Sequence, residues 1–531
     1  MQAELLLRGA TVYTQDRRQP RARSLAVGGG RILATGQQDH DLDDLQAPTT
    51  RVVELEGAAV VPGFVDAHVH FGHFALARRQ VDLDAAPTLE AGVASVRAAS
   101  DRLPSGAWVQ GRGWDRNRWG RLPTRADLDM AVGVRPVALS SHDGHALWLN
   151  SAALAAGGIT RETADAPGGV IERDATGEPS GVLFENAQDL VRDHIPEPSD
   201  AELREAIRQA LRAAAAAGLT GIHNLEDART RRVFQALEAA GDLTLRVYHG
   251  VPRGELAEAR ERGLRTGLGS DWVRIGPVKL FADGALGSRT AWLLAPYTGR
   301  ESDDYRGVAT LSVEELEQEM RAAADAGLDV AVHAIGDAAV RRVLDVFEHT
   351  RSAYPALRQR LLRIEHAQLV DPADVPRFRS LGVIASMQPI HATADWRTAD
   401  THWGARSRHA YAWRDLLQAG ATLAFGTDAP VEHIEPLYSL YAAITRRDPS
   451  GEPGDGWYPS QRLALEEAVR AYTWGSSAAE RSAGRRGSLS AGMDADLVAL
   501  APDPFERPAE ALLSSRVMLT MVGGRITFEG E

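Results

Sequence analysis

The sequence predicts an α/β protein built on a (β/α)8 TIM-like barrel, and two observations carry this prediction. Short apolar runs of strand length recur eight times along the middle of the chain, and helical patterns fill most of the intervals between them. Candidate ligand and catalytic residues fall at the carboxyl ends of five of these runs. Because the strand ends of such a barrel meet at one mouth, the second observation fits a barrel that carries an active site.

The eight apolar runs are predicted to be buried parallel strands. They cover residues 59–67, 219–224, 244–249, 274–281, 328–333, 361–366, 382–387 and 421–427. The helical patterns between them include residues 201–217, 229–240, 313–326, 337–349 and 408–419. Strand and helix in alternation favour a parallel sheet whose faces are covered by helices.

Strand-like segments at both ends of the chain predict a second domain. Residues 1–57 and 486–531 hold short apolar runs separated by glycines and polar turns, and we predict that they form one composite β-sandwich domain. Residues 58–104 and 201–485 then form the barrel. Residues 105–200 are too long for one strand-to-helix connection and are predicted to form an inserted α+β subdomain over the barrel mouth.

The composition excludes several classes of function. A net charge of −13, with arginines interleaved among acidic residues, argues against a nucleic-acid partner. The absence of cysteine excludes disulfides, iron–sulfur clusters and cysteine nucleophiles, so that any metal must be held by histidine, carboxylates or a rarer ligand. No apolar run reaches membrane-spanning length and the first residues lack a signal-peptide pattern, so we expect a cytoplasmic protein without a membrane partner.

The chain contains one lysine, Lys279, although lysine and arginine together number 59. A buried lysine shifts its pKa readily and can become a neutral amine, whereas a guanidinium stays charged. Lys279 lies inside the apolar run 274–281, which favours a chemical role that arginine cannot take. The alternative is that a composition favouring arginine left one lysine by chance.

Five further candidate ligands occupy the same relative place as this lysine. His68 and His70 close the first run, and because side chains alternate along a strand they point the same way and can share a cation. His333, His366 and Asp428 close the fifth, sixth and eighth runs. Each histidine alone could be a hydrogen-bonded core residue, and Asp428 could cap the following helix. Their coincidence at strand ends predicts a metal centre.

A lysine amine at such a centre has a specific use. A neutral amine adds CO2 to give a carbamate, an anionic ligand with two oxygens that arginine cannot form. We predict that a carbamate on Lys279 bridges two divalent ions, one held by the two histidines of the first run and one by those of the fifth and sixth. Two such ions activate a bridging water as hydroxide and polarise a carbonyl oxygen. Asp428 is predicted to bind one ion, to accept the proton of the water and to deliver it to the leaving nitrogen.

Motifs throughout the chain surround these residues. They are Pro-Gly-Phe-Val-Asp-Ala-His-Val-His at 62–70, Gly113-Trp114-Asp115, Asp143-Gly144-His145 followed by Asn150-Ser151, Gly-Gly-Val-Ile at 168–171, Val-Lys-Leu-Phe-Ala-Asp-Gly at 278–284, Val-His-Ala-Ile-Gly-Asp at 332–337, Glu365-His366, Gly-Thr-Asp at 426–428 and Gly-Met-Asp-Ala-Asp-Leu at 492–497.

With these motifs the chain resembles the metal-dependent amidohydrolase superfamily, and within it amidohydrolase family 3, the branch of YtcJ-like proteins and N-substituted formamide deformylases. The resemblance covers essentially the whole chain. It implies a divalent metal, most often zinc, a barrel with a composite β-sandwich, and hydrolysis of a non-peptide carbon–nitrogen bond in a small molecule.

Contacts to the substrate are predicted from position along the chain. Trp114 and His145 would overhang the mouth if the insertion is a lid, and Asp283 and Arg289 follow the lysine strand directly. Arg289 could pair with a substrate carboxylate, with a surface ion pair as the alternative. His223 ends the second run and is predicted to line the pocket.

Some alternatives remain open at the level of the sequence. His391 and Trp396 fall in a predicted loop after the seventh run, where substrate contact, packing or an oligomer contact such as that of a homodimer would all fit. A metal-independent Schiff-base lyase or aldolase would also place a reactive lysine in a barrel strand. A non-catalytic binding protein on the same scaffold is the third possibility. The presence of Asp428 argues against this possibility, because a purely structural metal site needs no proton acceptor.

Overall fold

The computed structural model describes residues 2–84, 86–104, 106–141, 146–166 and 169–530. His145, which is predicted to contact substrate, lies outside the described residues. The chain forms two compact units, of which the second is His73–Ile207 and the first comprises the residues on either side of it.

The first unit contains the predicted barrel as a sheet of eight parallel strands. The barrel strands are β1 (Phe64–Val69), β2 (Leu219–Asn224), β3 (Arg246–Pro252), β4 (Val273–Phe281), β5 (Val330–Ala334), β6 (Leu362–His366), β7 (Val383–Met387) and β8 (Thr422–Phe425). Each strand pairs in parallel with the next one along the chain. The loop after β8 returns to β1, where Asp428 N donates to His68 O at 2.7 Å, so the barrel is nearly closed. The predicted fold class is confirmed.

Each of the eight apolar runs overlaps a barrel strand, but the first run is divided. Residues 59–67 were expected to form one strand, whereas the structure ends Ala59–Pro62 before Gly63 and begins β1 at Phe64. Gly63 lies directly against the side chain of Thr220 in β2, so that any side chain at this position would overlap it. The close approach at Gly63 therefore marks the passage from one sheet to another.

Two further sheets of the first unit form a sandwich that draws on both ends of the chain. The four-stranded sheet has the order Arg31–Gly36, Ser24–Gly28, Leu5–Arg8, Arg51–Glu54. The six-stranded sheet has the order Arg525–Glu529, Arg516–Val522, Leu497–Ala501, Ala59–Pro62, Thr11–Tyr13, Arg21–Ala22. Its two central strands, Leu497–Ala501 and Ala59–Pro62, are antiparallel and come from opposite ends of the chain. Leu7, Leu25 and Leu519 belong to the single buried core that the two sheets share.

Helices occupy the intervals between the barrel strands. The helices that lie in the first unit or run across its boundary are Phe71–Ala77, Asp200–Ala216, Ala228–Ala239, Leu256–Glu261, Val313–Asp325, Asp337–Ala353, Val375–Leu381, Pro389–Trp403, Trp413–Gln418, Pro436–Thr445, Leu465–Arg470, Ser476–Ala479 and Ala511–Ser514. Among the described residues, no helix combines the length and the apolar character needed to cross a bilayer.

Two of these helices differ from the sequence prediction. The helix expected over residues 408–419 begins only at Trp413, because Tyr411 has a left-handed backbone with φ of 52°. The segment with His391 and Trp396 was expected to be a loop and is instead the helix Pro389–Trp403. It begins with a proline in its first turn, a position where the missing N–H of proline costs nothing.

The second unit is built on a mixed six-stranded sheet. The strand order is Gly169–Arg173, Pro179–Glu185, Ala146–Leu149, Val137–Ser141, Val109–Trp114, Val81–Asp82. Its helices are Leu89–Ser100, Arg116–Trp119, Arg125–Val132, Ser151–Ala156 and Asp189–Arg192. The unit starts earlier than residue 105, where the insertion was predicted to start, because Val81–Asp82 pairs with Val109–Trp114 and Leu89 and Val96 pack in its core.

Candidate metal centre

The six predicted ligands lie at or just beyond the carboxyl ends of five barrel strands. His68 is in β1 and His70 follows it, Lys279 is in β4, His333 is in β5, His366 is the last residue of β6, and Asp428 lies three residues after β8. The carboxyl ends of the strands are the face on which barrel enzymes carry their active sites.

The carboxylate of Asp428 lies within 3.6 Å of ring nitrogens of three histidines. Its Oδ1 atom is 3.6 Å from His68 Nε2 and 3.4 Å from His70 Nε2. Its Oδ2 atom is 3.3 Å from Nε2 of His391, on the helix Pro389–Trp403. The ligand atoms of His68, His70 and Asp428 lie within 4.8 Å of one another, as do those of His366, His391 and Asp428. Asp428 belongs to both groups, and the first of them, with His68 and His70, is the candidate site for a metal ion.

The backbone at the end of β6 brings two neighbouring residues to the same centre. Side chains alternate along a strand, so Glu365 and His366 would normally point to opposite sides. His366 has a left-handed backbone with φ of 74°, and this turn breaks the alternation. As a result Glu365 Oε2 lies 2.6 Å from His68 Nδ1, while the ring of His366 is centred 4.7 Å from the ring of His68.

Hydrogen bonds determine which ring nitrogen of each histidine is free. His68 donates from Nδ1 to the Glu365 carboxylate, which leaves Nε2 with a lone pair facing Asp428. His366 donates from Nδ1 to the amide oxygen of Gln388 at 2.9 Å, which again leaves Nε2. A metal ion binds the unprotonated nitrogen of a neutral imidazole, so both rings are held in a form that can ligate.

His333 uses the opposite nitrogen. Its Nε2 donates to the carbonyl oxygen of Gly284 at 3.0 Å, which leaves Nδ1 free. Burial, with Lys279 as the next cause, lowers the pKa of His333 to about 3 and that of His68 to about 4. Burial and the neighbouring histidines hold the pKa of His366 well below its usual value. All three rings are therefore neutral at neutral pH.

Lys279 is a buried amine without a direct polar partner. Its side chain is buried in β4, and it makes no hydrogen bond or ion pair with any described residue. Nζ lies 4.9 Å from the centroid of the Phe281 ring. Burial lowers the pKa of Lys279 to about 8, although the charges of Glu365 and Asp428 act in the opposite direction.

The charges of Asp428 and His391 stabilise each other. Burial alone would raise the pKa of Asp428, but His68 and His391 hold it well below its usual value. Burial alone would lower the pKa of His391, but hydrogen bonds to Asp428 and to Glu432 raise it to about 10. His391 was only weakly indicated by the sequence, since it stood in a segment predicted to be a loop.

Arg363 and Glu365 form a buried ion pair directly behind His68. Arg363 Nε donates to Glu365 Oε1 at 2.5 Å and Nη2 donates to Oε2 at 2.9 Å. Nη2 also reaches Ala67 O at 2.5 Å and Ser386 Oγ at 2.9 Å, so that the guanidinium joins β1, β6 and β7. Sequence reasoning did not single out Arg363, although an Arg-x-Glu pair within one strand places both side chains on one face.

The residues predicted to contact substrate have other contacts in the structure. His223 is fully buried and its Nδ1 accepts from Arg363 Nη1 at 2.8 Å. Asp283 is also buried, and it accepts three backbone N–H groups, from Trp292 at 2.9 Å, Ile335 at 3.0 Å and Gly336 at 2.8 Å. Burial raises the pKa of Asp283 to about 7. Asp283 thus holds loop backbone in place, whereas His223 contacts Arg363 of β6 inside the barrel.

The other two described residues of this group differ in exposure. Arg289 is exposed and has a left-handed backbone with φ of 57°. Trp114 is 2% exposed in the core of the second unit, and its Nε1 donates to Leu139 O at 2.8 Å. The side chain of Arg289 is therefore accessible, whereas the indole N–H of Trp114 is hydrogen-bonded to the backbone of a neighbouring strand in its own sheet.

A nearly closed eight-stranded parallel barrel with convergent histidines and an aspartate at its strand ends defines a barrel enzyme with a candidate metal centre. Comparison with known proteins gives the family. The model of the "Amidohydrolase family" matches residues 51–528, and the chain belongs to this family.

Full-length relatives agree with this assignment. "Putative amidohydrolase YtcJ" of Bacillus subtilis (strain 168) is 33% identical over 98% of this chain and 98% of its own length. "N-substituted formamide deformylase" of Arthrobacter pascens is 29% identical over 99% of this chain and 98% of its own length. The solved structure of an uncharacterized metal-dependent hydrolase from Pyrococcus horikoshii OT3 has a TM-score of 0.80 and 28% identity, covering 95% of this chain and 99% of that one. The chain is a hydrolase that acts on carbon–nitrogen bonds, and the predicted resemblance is confirmed.

Proposed function

We propose that this protein is a metal-dependent hydrolase that cleaves a non-peptide, amide-type carbon–nitrogen bond of a small molecule. The observation that carries the proposal is the convergence of His68 and His70 on one oxygen of Asp428, at 3.6 and 3.4 Å. Neutral imidazole nitrogens and a carboxylate oxygen within 4.8 Å of one another form the donor set that a divalent ion such as zinc prefers.

The proposed ligands are the two histidines of β1, His333, His366, Asp428 and Lys279. The free nitrogens assigned above, Nε2 of His366 and Nδ1 of His333, fit this role because the other nitrogen of each ring is already a hydrogen-bond donor. Two divalent ions, when bound, supply a Lewis acid for the substrate carbonyl and lower the pKa of the attacking water.

Lys279 is proposed to act as a carbamate. Its amine is buried and lacks a hydrogen-bonding partner among the described residues, so addition of CO2 would break no existing interaction. The neutral amine adds CO2 through a new carbon–nitrogen bond and releases one proton, which leaves an anion with two oxygens. That anion would supply a negative charge to a site in which the rings of His68, His333 and His366 are neutral.

Asp428 is proposed to carry the proton. Its low pKa keeps it ionised before the reaction, so it can accept a proton from water. The proton then passes to the leaving nitrogen, which departs as an amine. His391 contacts the second carboxylate oxygen and holds the carboxylate in a fixed orientation throughout.

For the substrate we propose a formyl or acyl amide or a cyclic amide. A relative that spans this whole chain carries the name N-substituted formamide deformylase, which makes N-substituted formamides the first compounds to test. Arg289 is exposed and follows the lysine strand, and it would pair with a carboxylate on the substrate. Neither nucleic acid nor a membrane is part of the proposal.

The test combines metal analysis with hydrolysis assays. We expect purified protein to contain about two divalent ions per chain, to release amine and carboxylate from N-substituted formamides or N-acyl amines, and to lose this activity on chelation and regain it with zinc. Full activity after rigorous chelation would contradict the proposal. Borohydride reduction in the presence of a carbonyl compound separates the alternative, because only a Schiff-base enzyme would be trapped covalently at Lys279.

A further inference from the structure

We infer that Glu365 is a positioning residue for the metal centre: held by Arg363, it fixes the ring of His68 in the tautomer and orientation that a metal ion requires. This inference rests on the proposed function, because it assigns a role toward the metal that His68 is proposed to bind. Glu365 itself would touch neither metal nor substrate.

The first step of the argument is the bond from His68 to Glu365. Nδ1 of His68 lies 2.6 Å from Glu365 Oε2, and the side chains are 1% and 0% exposed. A buried carboxylate is an acceptor only, so the proton of the ring must sit on Nδ1. Nε2 is then the unprotonated nitrogen, and it is the atom that faces Asp428 Oδ1.

The second step is the way in which Arg363 holds Glu365. Both carboxylate oxygens accept from the guanidinium, at 2.5 and 2.9 Å, which is the two-point geometry that fixes a carboxylate plane. The remaining Arg363 contacts, to Ala67 O, Ser386 Oγ and His223 Nδ1, tie the guanidinium to β1, β7 and β2. The carboxylate behind His68 is therefore held by the barrel itself.

The third step is that the hydrogen bonds from Arg363 and His68 require a carboxylate at position 365, because an amide cannot accept all of them. Arg363 donates to both oxygens, and His68 donates to one of them. A glutamine at position 365 would present its amide nitrogen, a donor, to one of these donors. It would thus leave either Arg363 or His68 facing another N–H group in a buried site.

The experiment compares Glu365→Gln with a matched control, Asp329→Asn. Asp329 is 1% exposed and accepts from Arg481 Nε and Nη2, both at 2.7 Å, so it is also a buried carboxylate held at two points by arginine. It precedes β5 and is thus at the opposite end of the barrel strands from the metal centre. Both changes remove the charge of a buried carboxylate that an arginine holds at two points.

The readouts are the rate of zinc loss to a chelator, the visible absorption spectrum after cobalt substitution, and the thermal midpoint. We expect Glu365→Gln to lose zinc on the order of 10- to 100-fold faster than wild type and to change the cobalt spectrum. Asp329→Asn should lower the midpoint while retaining the wild-type rate of zinc loss and the wild-type spectrum. A Glu365→Gln protein with the zinc retention and cobalt spectrum of wild type would overturn the inference.

A second variant covers the case in which Glu365→Gln does not fold. Glu365→Asp keeps the charge and the pair with Arg363 but is shorter by one methylene group, so it withdraws from His68. Fast zinc loss by Glu365→Asp supports the positioning role, and zinc retention equal to wild type overturns it. Failure of the proposed function would look different, because wild-type protein itself would then bind no metal and hydrolyse amides without it.

Discussion

Nε2 of His391 lies 3.3 Å from Oδ2 of Asp428, the oxygen opposite to the one that faces the two histidines of β1. The two oxygens of this carboxylate therefore have different neighbours. One lies among candidate metal ligands, and the other lies beside a protonated imidazole that is also held by Glu432 at 3.4 Å. Such a carboxylate can bind a metal ion through Oδ1, while the His391 imidazole beside Oδ2 keeps it ionised and oriented.

Asp428→Asn is the most direct test of this division. Asparagine keeps the shape of the side chain but cannot accept and release the proton. We expect kcat to fall by about 10²- to 10⁴-fold, the usual contribution of a general acid or base, with part of the metal retained. Steady-state kinetics with metal analysis of the same sample would measure both. Asp371→Asn, which changes a surface partner of Arg341, is the control and should leave kcat unchanged. An Asp428→Asn enzyme with wild-type kcat would contradict the proton-carrying role.

The carbamate proposed for Lys279 predicts that activity is lost on substitution and partly restored by an added carboxylate. Lys279→Arg keeps a positive charge but cannot form a carbamate, so we expect loss of metal and of activity. Lys279→Ala leaves a space in which a short carboxylate such as acetate or propionate can replace the missing anion, and we expect partial recovery of activity when it is added. The assay is hydrolysis against carboxylate concentration, with Lys279→Arg as the control that has no space to fill. Equal responses of the two variants would contradict a bridging anion.

The lowered pKa of Lys279 predicts the pH dependence of reactivation. Only the neutral amine adds CO2, and burial lowers the pKa of this amine to about 8. In protein stripped of metal and CO2, about one amine in ten is neutral at pH 7 and about nine in ten at pH 9. With dissolved CO2 and zinc held constant, the rate of reactivation should therefore rise with pH and level off above about pH 9. A rate independent of pH across this range would argue against carbamate formation as the reactivating step.

The elements that were predicted correctly are those that a local sequence pattern determines. The barrel strands are continuous apolar runs, and the structure places the six candidate ligands at or just beyond their ends, as their positions along the chain predicted. The helix carrying His391 was missed because its apolar residues do not form one face, and its tryptophans and histidines resemble those of a loop. Glu365 was missed for a different reason: strand alternation directs it away from His366, and only the left-handed backbone at His366 brings both side chains to His68.

The substrate contacts stay predictions, but position along the chain did not predict the burial of His223 and Asp283. His223 ends a strand, as predicted, but its ring is used by Arg363 inside the barrel. Asp283 follows the lysine strand, as predicted, but its carboxylate holds the backbone of residues 292, 335 and 336. In both cases the side chain is hydrogen-bonded to a residue that is distant in the sequence, and no local sequence pattern predicts such a bond.

Gly426 follows β8 and lies against the backbone of His68 in β1. A side chain at this position would test whether this close approach is needed to place His68. A Cβ atom at this position would lie 2.5 Å from His68 N and 2.6 Å from Asp66 Oδ1. Asp66 Oδ1 accepts from His68 N at 3.0 Å and from Thr427 N at 3.1 Å, so an added methyl group would force these bonds apart. We expect Gly426→Ala to destabilise the fold by about 1–3 kcal/mol and to speed the loss of metal, because His68 moves with its backbone.

Gly454→Ala is the matched control, since a Cβ atom there would meet no other atom within 4 Å. We expect its stability to stay within about 0.5 kcal/mol of wild type and its rate of metal loss to be unchanged. Unfolding midpoints in urea, together with zinc release to a chelator, would measure both effects on the same samples. If Gly426→Ala were destabilised yet released zinc at the wild-type rate, the placement of His68 would not depend on this contact, and the metal centre would have to be held mainly by β4, β5 and β6.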